Sequence, residues 1–551
     1  MHPYTLRMGR VRRRVMAGLA RPLSPEWRWA VPGFLLFAVL RLPSFIEPHW
    51  YSDEASYTAV ATSLLHGHVL YLDIWNNKPP LQSWTIAGVV AIFGPSETGL
   101  HLLTFASGLA TLAAVGYAGV RLLGRGRAAV SLIVTAVLLG LPVLDAELAL
   151  PESLLIAPAA WAGAILVTRM DPRAPEREAR TIALWPIAVG VLVAAGIAYQ
   201  QTVLAEAAAF GLAMALSPRV RWRDVAAYAA TVTVITGAWL GAAILQAGAG
   251  RVWFAMVGFY IPYTRSALPT GASGAALHLA GIGAAVSLLA LGAFLCRRTP
   301  TSLWAVWLWA GASLSVAALA RQPYAHYLTA AAAPVALLFA GLPVPWRVRM
   351  PNVAGLLRVV PLVAGVLLTG FAARVAGLDW IPQAAPSPSL NGTRTLQQYY
   401  GGAVATVVQG EARADWDDSF DWRVAADRTV AAWVGQQGLA GSTAVVWSSE
   451  VWMYSLAKLP VLVPTPPIYN DEVLLGGDSQ VATFVEGLKP TLIIVTDDAA
   501  HNWPSISRLL DGITYQRVLT VAPESVWMRA GAPAPQVTSI SAPGGAGASC
   551  C

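Results

Sequence analysis

Between His49 and Trp84 the chain reads HWYSDEASYTAVATSLLHGHVLYLDIWNNKPPLQSW, which concentrates Asp53, Glu54, His66, His68, Asp73, Asn76, Asn77 and Lys78 between apolar stretches. Ionisable groups held at or in a bilayer are costly and usually mark function. A carboxylate placed there can take the proton of an attacking hydroxyl. A lysine beside it can meet the charge that a leaving phosphate acquires, and an arginine adds two-pronged contact. Asp53 or Glu54 as base and Lys78 as phosphate clamp therefore form a chemically complete pair for group transfer from a lipid-linked phosphate. The structural alternatives are a first-turn cap for the two acids and a lysine that snorkels to the headgroups. His66 and His68, at alternating spacing, could ligate a metal with Asp73, but three candidates in one loop are weak evidence for a metal site. No metal site is assigned and no cofactor is required; a divalent ion is compatible with the scheme but unsupported by the sequence.

The elements that must hold these residues are membrane helices. Of 551 residues 56% are hydrophobic and 12% charged, and the mean hydropathy is +0.54, values that exclude an ordinary soluble domain. Apolar runs near the length of a span fall at about 29–46, 99–120, 128–144, 151–168, 182–200, 202–216, 225–246, 274–295, 302–320, 324–342 and 357–377. The run 81–94 is shorter and fits an interfacial or re-entrant segment better. With 81–94 not crossing, the arginine clusters in 1–28, 121–127, 169–181, 217–224, 296–300 and 343–358 all fall on one side. Only Lys78, Arg251, Arg265 and Arg321 then remain in the opposite loops. This is the positive-inside bias, so the net charge of +7 orients the chain in a membrane and does not signal nucleic acid. Eleven spans with the amino terminus cytoplasmic fit it best. Three cysteines, Cys296, Cys550 and Cys551, supply neither a disulfide framework nor zinc spacing.

This topology gathers the unusual polar residues at the outer face. The 47–98 loop is joined there by Asp145, Glu147 and Glu152, by Gln200 and Gln201, by Arg251, Tyr260, Tyr263 and Arg265, and by Arg321, His326 and Tyr327. Beyond about 378 the acidic residues return to ordinary frequency, and β-rich runs (442–448, 459–463, 490–498) alternate with helical ones. The domain reading is a basic arm over 1–28, a transmembrane domain over 29–377, a linker over 378–425, an outer α/β domain over 426–535 with a small Rossmann-like sheet, and a disordered tail over 536–551. The run 515–530 is expected to close as a hairpin. With no GxGxxG following a strand, no nucleotide is assigned.

The first loop, YSDEASYTAVATSLLHGHVLY and WNNKPPLQSW, resembles the first outer loop of the polytopic GT-C glycosyltransferases of the dolichyl-phosphate-mannose protein mannosyltransferase and aminoarabinose transferase superfamily. Asp53 and Glu54 match its acidic pair, and Lys78-Pro79-Pro80 matches its Lys-Pro motif. LPESLL with Glu152 is similar to its second acidic motif, Glu147 being a competing match, and PYAHYLTAAAAPVALL with His326 and Tyr327 is similar to its His-Tyr segment. Gln200-Gln201 departs from the lysine-glutamine of many relatives. The resemblance implies a helical membrane protein of GT-C type with a soluble α/β domain on the outer face. It implies an inverting hexosyl- or pentosyltransferase of cell-envelope glycan biosynthesis in a bacterial inner or plasma membrane, moving a sugar from a polyprenyl-phosphate donor to a glycan, lipid or protein acceptor. Its implied catalytic residues are Asp53, Glu54 and Glu152. Lys78, Arg265 and Arg321 are candidates for the donor phosphate, with general headgroup binding the alternative for the arginines. Tyr57, Asn77, Glu147, Gln201, His326 and Tyr327 are further substrate contacts. The rival readings are a secondary transporter, which would place polar residues at the bilayer midplane, and a scaffold or sensor working through its outer domain.

Overall fold

The computed structural model describes residues 27–173, 184–261, 302–319, 325–341, 396–410, 413–510 and 512–532. The spans expected at 274–295 and 357–377, the three cysteines and the tail beyond 535 lie outside them, as does the amino-terminal arm up to residue 26.

Among the described residues three helices are long and apolar enough to cross a membrane: Glu97–Leu123, Pro151–Met170 and Trp222–Ala247. At 1.5 Å per residue the 20 residues of Pro151–Met170 span about 30 Å. Shorter apolar helices stand beside them at Val31–Arg41, Arg125–Gly140, Leu184–Tyr199, Leu204–Leu216, Leu303–Leu319 and Ala332–Gly341. Pro80–Phe93, the run expected not to cross, is a helix of 14 residues. Local signals set several ends. Pro151 opens its helix with a ring that needs no hydrogen-bond partner at that position. Gly124, at φ +83°, ends one helix and starts the next in a conformation that a side chain disfavours.

With lipid as apolar as leucine, helices approach through small residues. A Cβ on Gly163 would stand 2.6 Å from the ring of the buried Trp309, and one on Gly33 2.7 Å from the Leu132 side chain. Trp222–Ala247 is the exception, with only 11% of its apolar window buried; Val234 and Leu245 point outward, as a lipid-facing helix requires.

The two ends of this bundle differ. At one end Arg173 donates to the Leu122 carbonyl (2.9 Å) and Arg219 to the Asp171 carbonyl (3.3 Å), drawing three arginine-bearing connections together. At the other end Thr104, in the second turn of Glu97–Leu123, donates to the Glu147 carbonyl ahead of Pro151–Met170 (2.7 Å), the hydroxyls of Tyr199 and of Thr85 in Pro80–Phe93 stand 3.1 Å apart, and Ser52 of helix Ser52–Leu65 reaches the carboxyl-terminal domain.

That domain holds a sheet of four strands, β1 (Ala444–Trp447), β2 (Leu492–Thr496), β3 (Tyr515–Val521) and β4 (Glu524–Arg529), in the order β1-β2-β4-β3. Strands β1 and β2 are parallel and fully buried, which explains their continuous apolar runs. β4 pairs antiparallel with β2 and, as the expected hairpin, with β3. One parallel pair and two antiparallel ones make a mixed sheet, which corrects the Rossmann-like expectation. The 459–463 run forms no strand, only a bridge from Val461 to Ala444, because Pro460 supplies no backbone donor. The expected linker is also corrected: Leu396–Val404 and Arg413–Asp418 are helices. Their Gly401-Gly402 pair reads as a breaker, yet a Cβ on Gly402 would lie 2.9 Å from the Trp416 ring. The glycine there admits an indole.

Candidate active site

Helix Ser52–Leu65 carries the two acids in its first turn. Successive helical residues are separated by about 100°, so Asp53 and Glu54 cannot face the same way. The stripe Asp53, Ser56, Tyr57 and Val60, spaced i, i+3, i+4 and i+7, lines a cavity of about 460 Å³. Glu54 turns to the opposite, fully buried face.

The connection to the next helix brings Lys78 back to that cavity. Tyr71 adopts φ +68°, takes the Ile74 carbonyl with its N–H (2.8 Å), and donates its hydroxyl to the Lys78 carbonyl (2.7 Å). Tyr260 donates to the Asn77 carbonyl (3.1 Å), while the Asn76 amide donates to Gln82 and Ser83, each at 3.1 Å. Trp75 packs on Phe259 with ring centroids 4.7 Å apart, and its backbone N–H donates to the Pro464 carbonyl (2.7 Å). The backbone on both sides of Lys78 is thereby fixed, and its side chain lines the cavity.

Glu152 enters from the first turn of Pro151–Met170, where the helix dipole favours a carboxylate. The Gln200 amide donates to its Oε1 at 2.6 Å. His326 and Tyr327 complete this side. His326 stands 3.5 Å from Asp145, and its ring is 4.7 Å from that of Tyr327. The remaining wall comes from the carboxyl-terminal domain through Thr465, Tyr469 and Asn470. Ser52 ties the two parts together by donating to the Ser449 carbonyl (2.7 Å).

Burial raises the Asp53 carboxyl above its ordinary pKa; the charges of Lys78 and His326 pull it back, and Glu152 pushes it up. A carboxylate so placed is a stronger proton acceptor than one in water, with a cation close enough to influence it. The arrangement suits removal of a proton beside a phosphate.

Asp53, Tyr57, Asn77, Lys78, Glu152, His326 and Tyr327 thus share one cavity. Three other candidates do not line it. Glu54 accepts the Ala149 N–H at 2.6 Å and lies 3.6 Å from His101, so it braces the bundle. Glu147 is buried elsewhere, its carbonyl within 3.4 Å of Arg41. Gln201 donates to the Met256 carbonyl at 3.2 Å, and its neighbour Gln200 reaches Glu152 in its place. Arg265 and Arg321 lie outside the described residues. His66, His68 and Asp73 are exposed, and no cluster of three metal-ligating side chains occurs among the described residues. Sequence reasoning missed Gln200 as the contact to Glu152, although it had singled out the pair. It also missed Thr465, Tyr469 and Asn470, whose only signal is the proline-rich TPPIYN segment.

No family model matches the sequence, and no curated protein matches it. Among solved structures the chain is similar to ArnT from Cupriavidus metallidurans bound to undecaprenyl phosphate. The TM-score is 0.56 at 14% identity, over 93% of this chain and 100% of that one. It is similar to the apo state of the same protein with a TM-score of 0.55 at 15% identity, over 92% and 98%. At these identities the likeness is one of fold. The chain has the GT-C fold, a helical bundle followed by a sheet domain, over 93% of its length.

Proposed function

We propose that this protein is an inverting glycosyltransferase that takes a sugar from a polyprenyl-phosphate carrier and passes it to an acceptor hydroxyl on the outer side of the membrane. The observation that supports this reading is the single cavity lined by Asp53, Lys78 and Glu152. The acceptor oxygen attacks the anomeric carbon, and its proton goes to Asp53. The bond from that carbon to the phosphate oxygen breaks, and its electron pair leaves with the carrier. Lys78 meets the charge that appears there, with Arg265 and Arg321 as candidates to add to it. Glu152, oriented by Gln200, accepts a hydroxyl hydrogen bond from the sugar. One displacement inverts the anomeric centre, and a lysine supplies the charge, so the scheme requires no cofactor.

The fold likeness to a protein bound to undecaprenyl phosphate makes a polyprenyl phosphate the natural donor carrier. A transporter is less well supported, because the polar residues collect at one end of the bundle beneath an added domain. The test is transfer of labelled sugar from polyprenyl-phosphate donors by purified variants. Asp53→Asn is expected to lose transfer by at least about a hundredfold while folding as the wild type. Lys78→Ala is expected to raise the KM for donor above all. Full activity in Asp53→Asn would overturn the reading.

A further inference from the structure

The cavity has a wall that the transfer chemistry does not use. It comes from Pro464–Asn470, the connection after the 459–463 run together with the first turn of helix Ile468–Leu475. Prolines at 464, 466 and 467 fix three backbone φ angles. The rest is held by hydrogen bonds: the Pro464 carbonyl accepts from the Trp75 N–H at 2.7 Å, and the Ile468 N–H donates to the Ser448 carbonyl at 3.2 Å. The Thr465 N–H donates to the buried carboxyl of Asp471 at 3.2 Å, and Ile468 is itself buried. The backbone is a rigid strap pinned to both the sheet domain and the first loop. What it presents to the cavity is Thr465, Tyr469 and Asn470.

We propose that this strap selects the acceptor, and that the acceptor offers a carbohydrate hydroxyl. The inference rests on the transferase reading above and deepens it. The strap carries no charge toward the cavity, so it is not built for a phosphate or a lipid headgroup. A hydroxyl, a phenol and an amide are what a sugar needs: the apolar face of a pyranose packs on an aromatic ring, and an amide offers donors and acceptors to neighbouring hydroxyls. Asn77 adds an amide from the first loop, and Tyr51, Tyr57 and Trp75 add rings. Position supports the same assignment. Tyr57 lies on the cavity stripe of the helix that carries Asp53, and both Tyr57 and Tyr469 border the cavity, so the strap faces the same space as the group that receives the acceptor's proton. It also belongs to the part of the chain outside the helix bundle, whereas the donor's polyprenyl chain must arrive through the bundle. A site that pairs hydroxyls discriminates strongly against a molecule lacking them.

The experiment uses the full chain in lipid nanodiscs, with polyprenyl-phosphate hexoses and pentoses labelled in the sugar as donors. Methyl glycosides of neutral hexoses and short serine- and threonine-containing peptides serve as acceptors, and release of sugar to water is measured in parallel. Tyr469→Ala, Asn470→Ala and the isosteric Asn470→Asp are each expected to lower the ratio of glycoside transfer to water release by about tenfold or more, through the KM for glycoside. Tyr469→Phe, which keeps the ring, is expected to recover most of that loss. An unchanged ratio in all variants overturns the inference, as does transfer to peptides with none to glycosides. If the wild type cleaves no donor even to water, it is the transferase reading that fails. Saturation-transfer NMR of the same glycosides then decides the strap's role, with signals lost in the two alanine variants supporting it and equal signals overturning it.

Discussion

Asp53 and Glu54 are neighbours in the chain and strangers in space. One borders the cavity, while the other accepts the Ala149 N–H at 2.6 Å and sits 3.6 Å from His101. A linear motif records that two acids occur together; the helical turn of about 100° per residue decides which one meets a substrate. Gln200 and Gln201 part for another reason: Gln200 is extended backbone between two helices, Gln201 opens the next turn, and of the two Gln200 touches Glu152. A hydrogen bond to a charged group is worth about 1.5–3 kcal/mol. Gln200→Ala is therefore expected to lower kcat by roughly ten- to a hundredfold, and Gln201→Ala to have a smaller effect, measured as initial rates of sugar transfer at saturating donor. Equal losses in the two variants would remove Gln200 from its positioning role. The residue types in this site were legible before the fold was known, because acids and a lysine in so apolar a chain stand out. Their partners were not, because a glutamine 48 positions from the carboxylate it holds leaves no mark in local spacing.

At the scale of elements, Glu97–Leu123, Pro151–Met170 and Trp222–Ala247 were the easiest part to read, since length and apolar composition suffice. The sheet domain was harder: β1 and β2 showed themselves as buried apolar runs, but strand order depends on pairings between residues far apart in sequence, and Gly402 imitated a linker. Beneath the strand ends lies a group of buried acids, Asp427 and Glu450 with Glu524, and Arg423 nearby. Burial pushes Glu524 up to about 7, with Asp427 opposing and Glu450 adding to the shift. A carboxyl with a raised folded pKa binds its proton more tightly when folded, so it costs no stability below its unfolded value of 4.5 and an increasing amount as pH climbs to about 7. The domain is thus expected to lose stability across that window, by roughly 3 kcal/mol from this group. Glu524→Gln should flatten the loss. Thermal unfolding of the solubilised chain at pH 5, 6, 7 and 8 checks it, and a variant whose midpoint falls as steeply as the wild type's would refute it.

The whole molecule is a bundle with two unlike ends. Arg173 and Arg219 clasp the carbonyls of Leu122 and Asp171 at one end, in the company of Arg121, Arg125, Arg127, Arg169, Arg221 and Arg223 in sequence. The cavity, the first loop and the sheet domain occupy the other, joined by the Ser52 and Trp75 hydrogen bonds to the Ser449 and Pro464 carbonyls. Basic loops resist transfer across a bacterial membrane and stay in the cytoplasm, so the arginine end is expected to face inward and the cavity outward. That orientation also suits the proposed chemistry, because a polyprenyl-phosphate sugar delivered to the outer leaflet would then meet a cavity roofed by a water-exposed domain. A reporter enzyme that folds only outside the cytoplasm measures the orientation directly. Fused after Ser217, between Leu204–Leu216 and Trp222–Ala247, it should be inactive. Fused after Ala247, or after Ala532 beyond the hairpin, it should be active. Activity at Ser217 would invert the bundle, put Asp53 and Lys78 on the cytoplasmic side, and leave an outward-facing transferase without its active site.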